Sequence, residues 1–322
     1  MKYLLAIIVI VLFFSSCEKK EFPAPAFDRG DVITNQVDMG STYKSQIWFS
    51  LSENRIISGN FKSDWDLAFE AGAAGNHIML NGSKGMKVYK TSHTDLSQVT
   101  DTLGLGSNSK ADAPSGKLDS TAFNGWESGN TVYVIDRGYD ESGLHQGFYK
   151  MKLTAATASS FTFDYGDIFG TLISQGTVNK QADYNFVMYS FTTGHEAYIE
   201  PKKTDYDLCF TVYTHFFTNP FMYYQVTGVL QNQYDTRVIN LKDKPFADIV
   251  LGDTTGRAFS ANRNSIGYEW KVFNLNTNLY TIDPTHCYII HDNKGFYYKL
   301  HFIDFYNTSG IKGVPKFEFK KL

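Results

Sequence analysis

Short apolar and aromatic runs, separated by polar turn residues, organise this chain. QIWFSL (46–51), NHIML (76–80), TVYVI (131–135), FYKMKL (148–153), SFTF (160–163) and YYQVTGVL (223–230) each have the length and residue types of a β-strand. Gly, Asn, Asp and Ser cluster between them, as turns require. No stretch carries the 3.6-residue apolar period over four turns, so only short helices are expected, around residues 246–251. The pattern predicts an all-β fold of antiparallel strands with few short helices.

One phrase occurs twice. KSDWDLAF (62–69) returns as KTDYDLCF (203–210), identical at five of eight positions. Later runs repeat in the same order: VYVI (132–135) with CYII (287–290), FYKM (148–151) with YYKL (297–300), and FTF (161–163) with FEF (317–319). Self-similarity at a long offset implies two related units. The boundary falls near residues 176–181, giving a first repeat over 30–178 and a second over 179–322. Residues 97–123 are rich in Gly, Ser, Asp and Lys and predict a long loop in the first repeat. In the phrase itself, period two puts Trp65, Leu67 and Phe69 on a core face and Asp64, Asp66 and Ala68 on the other. The acids there could accept backbone hydrogen bonds or bind a cation; the default expectation is that they face solvent and orient a turn.

The first residues form an export signal. Met1-Lys2 is followed by an unbroken apolar run from Leu4 to Phe14 and by Ser15-Ser16-Cys17. The run is about half of the ~20 residues that span a bilayer, and its layout is that of a signal peptide. Small residues directly before a cysteine resemble a relaxed bacterial lipoprotein box. This implies a signal peptide over 1–16, lipid on Cys17 and a tether over 17–29. Plain secretion is the alternative. EKKE (18–21) resembles the charged cluster that sends some lipoproteins to the outer face of the outer membrane.

Composition narrows the class. The chain has 21 Tyr, 26 Phe and 4 Trp, an aromatic excess that suits strands. Its formal charge is −3, and losing residues 1–16 removes one Lys and gives −4. Nucleic acid, which needs a basic footprint, is not recommended as a partner. Of three Cys, Cys209 and Cys287 remain beyond Cys17. They read as small buried residues, with a disulfide open in an oxidising compartment.

WDLAF (65–69) followed by Asn81-Gly82, YKSQ (43–46) before an aromatic strand, and the tail YYKLHFIDFYN (297–307), GIKG (310–313) and FEF (317–319) together resemble the HmuY family of haem-binding surface lipoproteins. The likeness covers most of residues 30–322, and the tail is its most specific part. The resemblance implies an all-β lipoprotein that captures haem outside the cell and hands it to an outer-membrane receptor. It also implies iron held by two His, or by Met and His, on hairpins between the first motif and the closing strands.

That ligand set does not carry over directly. Residues 216–285 contain no His, and Met222 is the only sulfur side chain there. The first repeat offers His77, Met79, Met86 and His93. His77 and Met79 share a face of a regular strand, so a second hairpin would have to supply the opposite ligand. His215, in YTHFF (213–217), completes the candidates. His286, His291 and His301 read as surface residues beside closing strands, and His145 and His195 as turn residues without a ligand-like partner.

No H-E-x-x-H, G-x-S-x-G or P-loop pattern occurs, and Gly104-Leu-Gly106 lacks the context of a dinucleotide site. The resemblance implies non-enzymatic capture of haem or another apolar small molecule at the cell surface as the expected function. One alternative is a structural or interaction lipoprotein that has lost haem binding. Another is a glycan-binding or glycan-active protein.

Overall fold

The computed structural model describes residues 30–322; the signal segment, Cys17 and the rest of the tether lie outside the described residues. Twenty strands follow in chain order: β1 (Ile33–Gln36), β2 (Ser45–Ser50), β3 (Arg55–Phe61), β4 (Leu67–Glu70), β5 (Ile78–Leu80), β6 (Lys87–Lys90) and β7 (Tyr133–Asp136). Next come β8 (Phe148–Ala156), β9 (Ser160–Asp167), β10 (Ser174–Asn179), β11 (Phe186–Ser190), β12 (His195–Ala197), β13 (Leu208–Thr218) and β14 (Phe221–Gln231). The last are β15 (Arg237–Leu241), β16 (Lys271–Asn274), β17 (Leu279–Ile282), β18 (Cys287–His291), β19 (Tyr297–Tyr306) and β20 (Lys312–Lys321). Helical structure among the described residues is confined to 3-10 turns, two of them at Phe246–Asp248 and Leu251–Thr254, where short helices were expected. The all-β, antiparallel expectation holds.

The strands form two lobes. In the first, the sheets β10-β9-β8-β7-β6 and β12-β11-β4-β5 close over a core that includes Leu67, Phe69, Phe161, Phe163 and Tyr189. In the second, β1-β20-β19-β18-β15 and β14-β13-β2-β3 close over Phe49, Phe210, Trp270, Phe302 and Phe317. The small β16–β17 hairpin stands beside the second lobe's core, with Tyr280 and Ile282 packed against it.

The lobes are offset from the repeats in the sequence. β2 precedes the first phrase, yet it pairs with β13, which carries the second phrase, through Leu208 opposite Phe49. β11 precedes the second phrase and pairs with β4 of the first, through Phe69 opposite Val187. Likewise β1 pairs with the closing strand β20. The opening strands of each half complete the sheets of the other.

Both copies of the phrase are buried on both faces. Leu67 and Phe69 enter the first lobe's core, while Trp65 and Ala68 join Met79, Phe186 and Met188 on the opposite side. Trp65 thus departs from the expected common face, because the sheet is covered on both sides and period two no longer separates core from solvent. Asp66 also departs from the expected solvent role: it is 0 % exposed. Its Oδ2 accepts the Phe191 N–H at 2.7 Å, and its carboxylate meets Lys84 Nζ at 2.5 Å and Arg137 Nη2 at 3.2 Å. Asp64 alone of the pair is exposed.

Cys209 and Cys287 are free, buried thiols in separate apolar clusters, so the open disulfide is not formed. His286 is buried rather than superficial; Asn240 Nδ2 lies 2.9 Å from its Nδ1. His145 does find a partner, Asp136 Oδ1, at 2.8 Å.

Candidate functional site: an open aromatic hairpin face

β13 and β14 pair along eleven residues each, but β2 covers β13 only from Leu208 to Phe210. The outer half of the hairpin therefore extends past its sheet, turning through a cis Asn219–Pro220 bond. Register sets its two faces, since residues opposite one another point to the same side. His215 opposes Tyr224 and Phe217 opposes Met222, so these four share one face. Phe216 and Tyr223 share the other.

The Phe216 face packs against the first lobe at Tyr223, while Phe221 at its tip is exposed. The Tyr223 hydroxyl donates to the Ser109 carbonyl at 3.3 Å, and Lys87 Nζ sits 5.6 Å from the Tyr223 ring centre. The His215 face is open: Tyr224 is 56 % exposed and Met222 44 %. The His215 ring stands 5.0 Å from both Phe217 and Tyr268, edge to face. The β16–β17 hairpin is tied to β14 at its base, through Lys271 and Thr227. Val272, Phe273, Leu275 and Leu279 of that hairpin are all exposed. Lys271 anchors it: its ammonium donates to the Thr227 carbonyl of β14 and lies 4.2 Å from the Trp270 ring centre. Burial pulls the Lys271 pKa down to about 7.

His215 is the chemically distinctive group here. Its Nδ1 is buried and has no hydrogen-bond partner. Burial lowers its pKa, against a smaller opposing pull from Glu269. A neutral imidazole is the form that ligates a metal, but the buried Nδ1 is not open to a ligand on the exposed face.

The other sequence candidates are scattered. His77 Nδ1 is held 2.6 Å from Glu70 Oε2. Met86 is 1 % exposed within the first lobe's core. Met79 is buried between the lobes, its sulfur 3.8 Å from Arg263 Nη1. His93 is exposed in the segment just after β6, where its carbonyl accepts the Val132 N–H at 2.9 Å. Only His215 and Met222 are brought to one surface. Tyr224 and Tyr268, which complete that surface, were missed; the aromatic run 221–224 was the available signal.

Between the lobes lies a cavity of about 70 Å³ lined by Trp48, Trp65, Met79, Met188, Cys209 and Arg263. Small-molecule pockets run to roughly 300–1,000 Å³, so this space suits a few waters rather than a porphyrin. Two carboxylic acids are buried in the neighbourhood of Arg263. Burial raises Asp112 and Glu200 each to about 7, with Arg263 opposing in both cases. Among the described residues no three His, Cys, Asp or Glu side chains gather as a metal centre.

The chain matches the HmuY protein family over residues 42–319. It belongs to that family. Among solved structures, it is similar to apo PinO from Porphyromonas gingivitis, at 10 % identity over 91 % of this chain and 98 % of that one, with a TM-score of 0.37. An apo HmuY analogue from Tannerella forsythia matches at 11 % identity over 91 % and 98 %, with a TM-score of 0.26. A Bacteroides vulgatus protein, described as a candidate HmuY-like haem-binding protein, matches at 10 % identity over 90 % and 94 %, with a TM-score of 0.23. None of the curated proteins matches the chain.

Proposed function

We propose that this HmuY-family protein is a non-enzymatic, lipid-anchored binding protein of the outer membrane. It captures haem or a related flat apolar ligand at the cell surface and passes it to an outer-membrane receptor. The site is the half-open His215 face of β13–β14. The observation that carries this reading is the β13–β14 register, which sets the His215 imidazole on one half-open face with Phe217, Met222 and Tyr224, and with Tyr268 against its ring.

These residues fit a flat apolar ring held by one axial imidazole. Haem would supply the iron that His215 ligates. Met222 lies on the same face as His215, so it serves as wall rather than as the opposing ligand. Family membership supports haem over other apolar rings, and Cys17 with its preceding small residues supports the anchor.

Haemin titration of the protein lacking residues 1–17 tests the reading. We expect a saturable Soret band that His215→Ala abolishes and His77→Ala leaves unchanged. A non-saturable response, or a band indifferent to His215, sinks it. Surface display is tested by labelling intact cells with a membrane-impermeant reagent, where absence of labelling places the protein inward.

A further inference from the structure

Met151, Leu153 and Phe163 enter the first lobe's core, so the alternation of β8 and β9 turns Lys150, Lys152 and Asp164 to the outer face of the same sheet. Two segments lie over that outer face. Lys150 Nζ donates to the Val99 carbonyl at 2.9 Å and Lys152 Nζ to that of Thr94 at 2.7 Å, which fastens residues 94–99 to the sheet. On the other side the β9–β10 connection folds back onto Gly166, where any Cβ would collide with the Leu172 carbonyl. Leu96, Val99 and Ile168 share one apolar cluster, so both segments are held in place.

A groove of about 400 Å³ remains, with Asp95, Ser97, Lys152, Asp164, Phe169 and Thr171 among its lining residues. It is within the size range of small-molecule pockets. Its rim is apolar: Phe169 is 70 % exposed and Ile173 45 %. Its floor is polar. Lys152 opposes Asp164 across the β8–β9 ladder, and Asp164 Oδ1 accepts Gln175 Nε2 at 3.4 Å. Asp164 Oδ2 and the Thr171 hydroxyl have no hydrogen-bond partner among the described residues. Two lysines and two aspartates line the groove, so its formal charge balances. A second groove of about 400 Å³, lined by His93, Gln98, Asp101 and Asn108, adjoins the first, and Thr100 stands in the wall of both.

We propose that this groove binds a neutral oligosaccharide, one sugar ring lying on Phe169 and its hydroxyl groups meeting Asp164, Lys152 and Thr171. A pyranose ring has an apolar C–H face and a polar edge, and the negative face of an aromatic ring attracts such C–H groups. The exposed phenyl ring and the uncommitted carboxylate and hydroxyl oxygens match those two sides. The balanced charge gives a polyanion or a polycation no net advantage. The adjoining groove continues the polar surface past Thr100, which suits a chain of sugars better than a single ring. The site lies on the first lobe and is independent of the His215 face.

The test is calorimetric titration of the protein lacking residues 1–17 with neutral hexasaccharides of glucose, mannose, galactose and N-acetylglucosamine. We expect saturable binding of at least one of them, weakening as the chain is shortened to the monosaccharide. Phe169→Ala and Asp164→Ala should each weaken it about tenfold. Phe169→Ala should leave the melting temperature unchanged, because the ring is exposed, and His215→Ala should leave sugar binding unchanged. No saturable heat with any of these sugars overturns the proposal. So does equal affinity in Phe169→Ala, which would place the sugar elsewhere. Tighter binding of hexagalacturonate than of every neutral chain overturns it as well, since the lysines would then lead recognition of an anion.

Discussion

Asn81 and Asn232 make the same three hydrogen bonds in the two lobes. Asn81 Nδ2 donates to the carbonyls of Lys62 and Trp65, both at 2.8 Å, and its N–H donates to that of Asp66 at 2.9 Å. Asn232 Nδ2 donates to Lys203 at 2.8 Å and Tyr206 at 3.1 Å, and its N–H to Asp207 at 2.8 Å. Both side chains are 0 % exposed. Each asparagine thus fastens the entry of one copy of the repeated phrase. Alanine at position 81 leaves the buried Trp65 carbonyl without its side-chain donor, so Asn81→Ala should cost about 1–3 kcal/mol. In the second lobe Asn293 Nδ2 also reaches the Lys203 and Tyr206 carbonyls, at 3.4 and 3.0 Å, so Asn232→Ala should cost less. Chemical denaturation of the two variants checks this, and a larger loss for Asn232→Ala would contradict it.

Asp66 is the sole acid that Lys84 and Arg137 reach within salt-bridge distance among the described residues. Lys84 is 1 % exposed, and burial pulls its pKa down while Asp66 pushes it back up. Removing the carboxylate strands two buried cations. Asp66→Ala should therefore destabilise the chain by about 3–5 kcal/mol, well beyond a typical substitution. A loss under ~1 kcal/mol in urea unfolding would mean that the triad is not held as described.

Glu200 gives an inverted pH dependence. Its folded pKa is raised to about 7 by burial, against an ordinary 4.5. The folded state therefore keeps a proton that the unfolded chain releases, and this contribution is fully present below about 4.5 and lost as pH rises through 7. The size is about 1.4 kcal/mol for each unit of raised pKa. Glu200→Gln keeps an acceptor for the Tyr206 hydroxyl, which now bonds Glu200 Oε1 at 2.6 Å. We expect the variant to gain stability over the wild type between pH 5 and 8. A wild-type-minus-variant difference that stays flat over this interval would refute the buried, protonated acid.

Much of the framework was legible in the sequence. The runs around Trp48, Tyr149 and Phe163 announced their strands. Asp66 was not legible, because a charged residue in an alternating run reads as solvent-facing until its partners are known. Lys84 and Arg137 lie far along the chain and carry no motif. The site was half legible. His215 and Met222 were visible as residue types, but only the β13–β14 register puts them on one face, and only the uncovered end of β13 leaves that face open. The first-lobe candidates failed for the opposite reason: His77, Met79 and Met86 are spaced suggestively, yet each is already engaged by Glu70, Arg263 or the core.

The exchange of opening strands makes a direct statement about which pieces of the chain fold. The first lobe's core runs from Leu67 to Phe191, all within residues 63–200. The second lobe's core needs Val37, Met39, Phe49 and Leu51 from the chain's beginning, together with residues from Leu208 to Phe319. A fragment spanning 63–200 should therefore fold, although it cuts across the sequence repeats. A fragment spanning 179–322 is a whole repeat, yet it lacks β1–β3 and leaves β13 and β20 with unpaired edges beside an open core. We expect the first to show dispersed amide resonances and a cooperative melt. The second should bind the dye ANS and show little dispersion, the marks of lost packing. Joining 30–61 by a short Gly-Ser linker after Leu322 should rescue a chain beginning at residue 201, since Ile33 already pairs with Phe319 at the carboxyl end. A well-folded 179–322 fragment and a disordered 63–200 fragment would be the reverse of this outcome, and would mean that each repeat closes on its own opening strands.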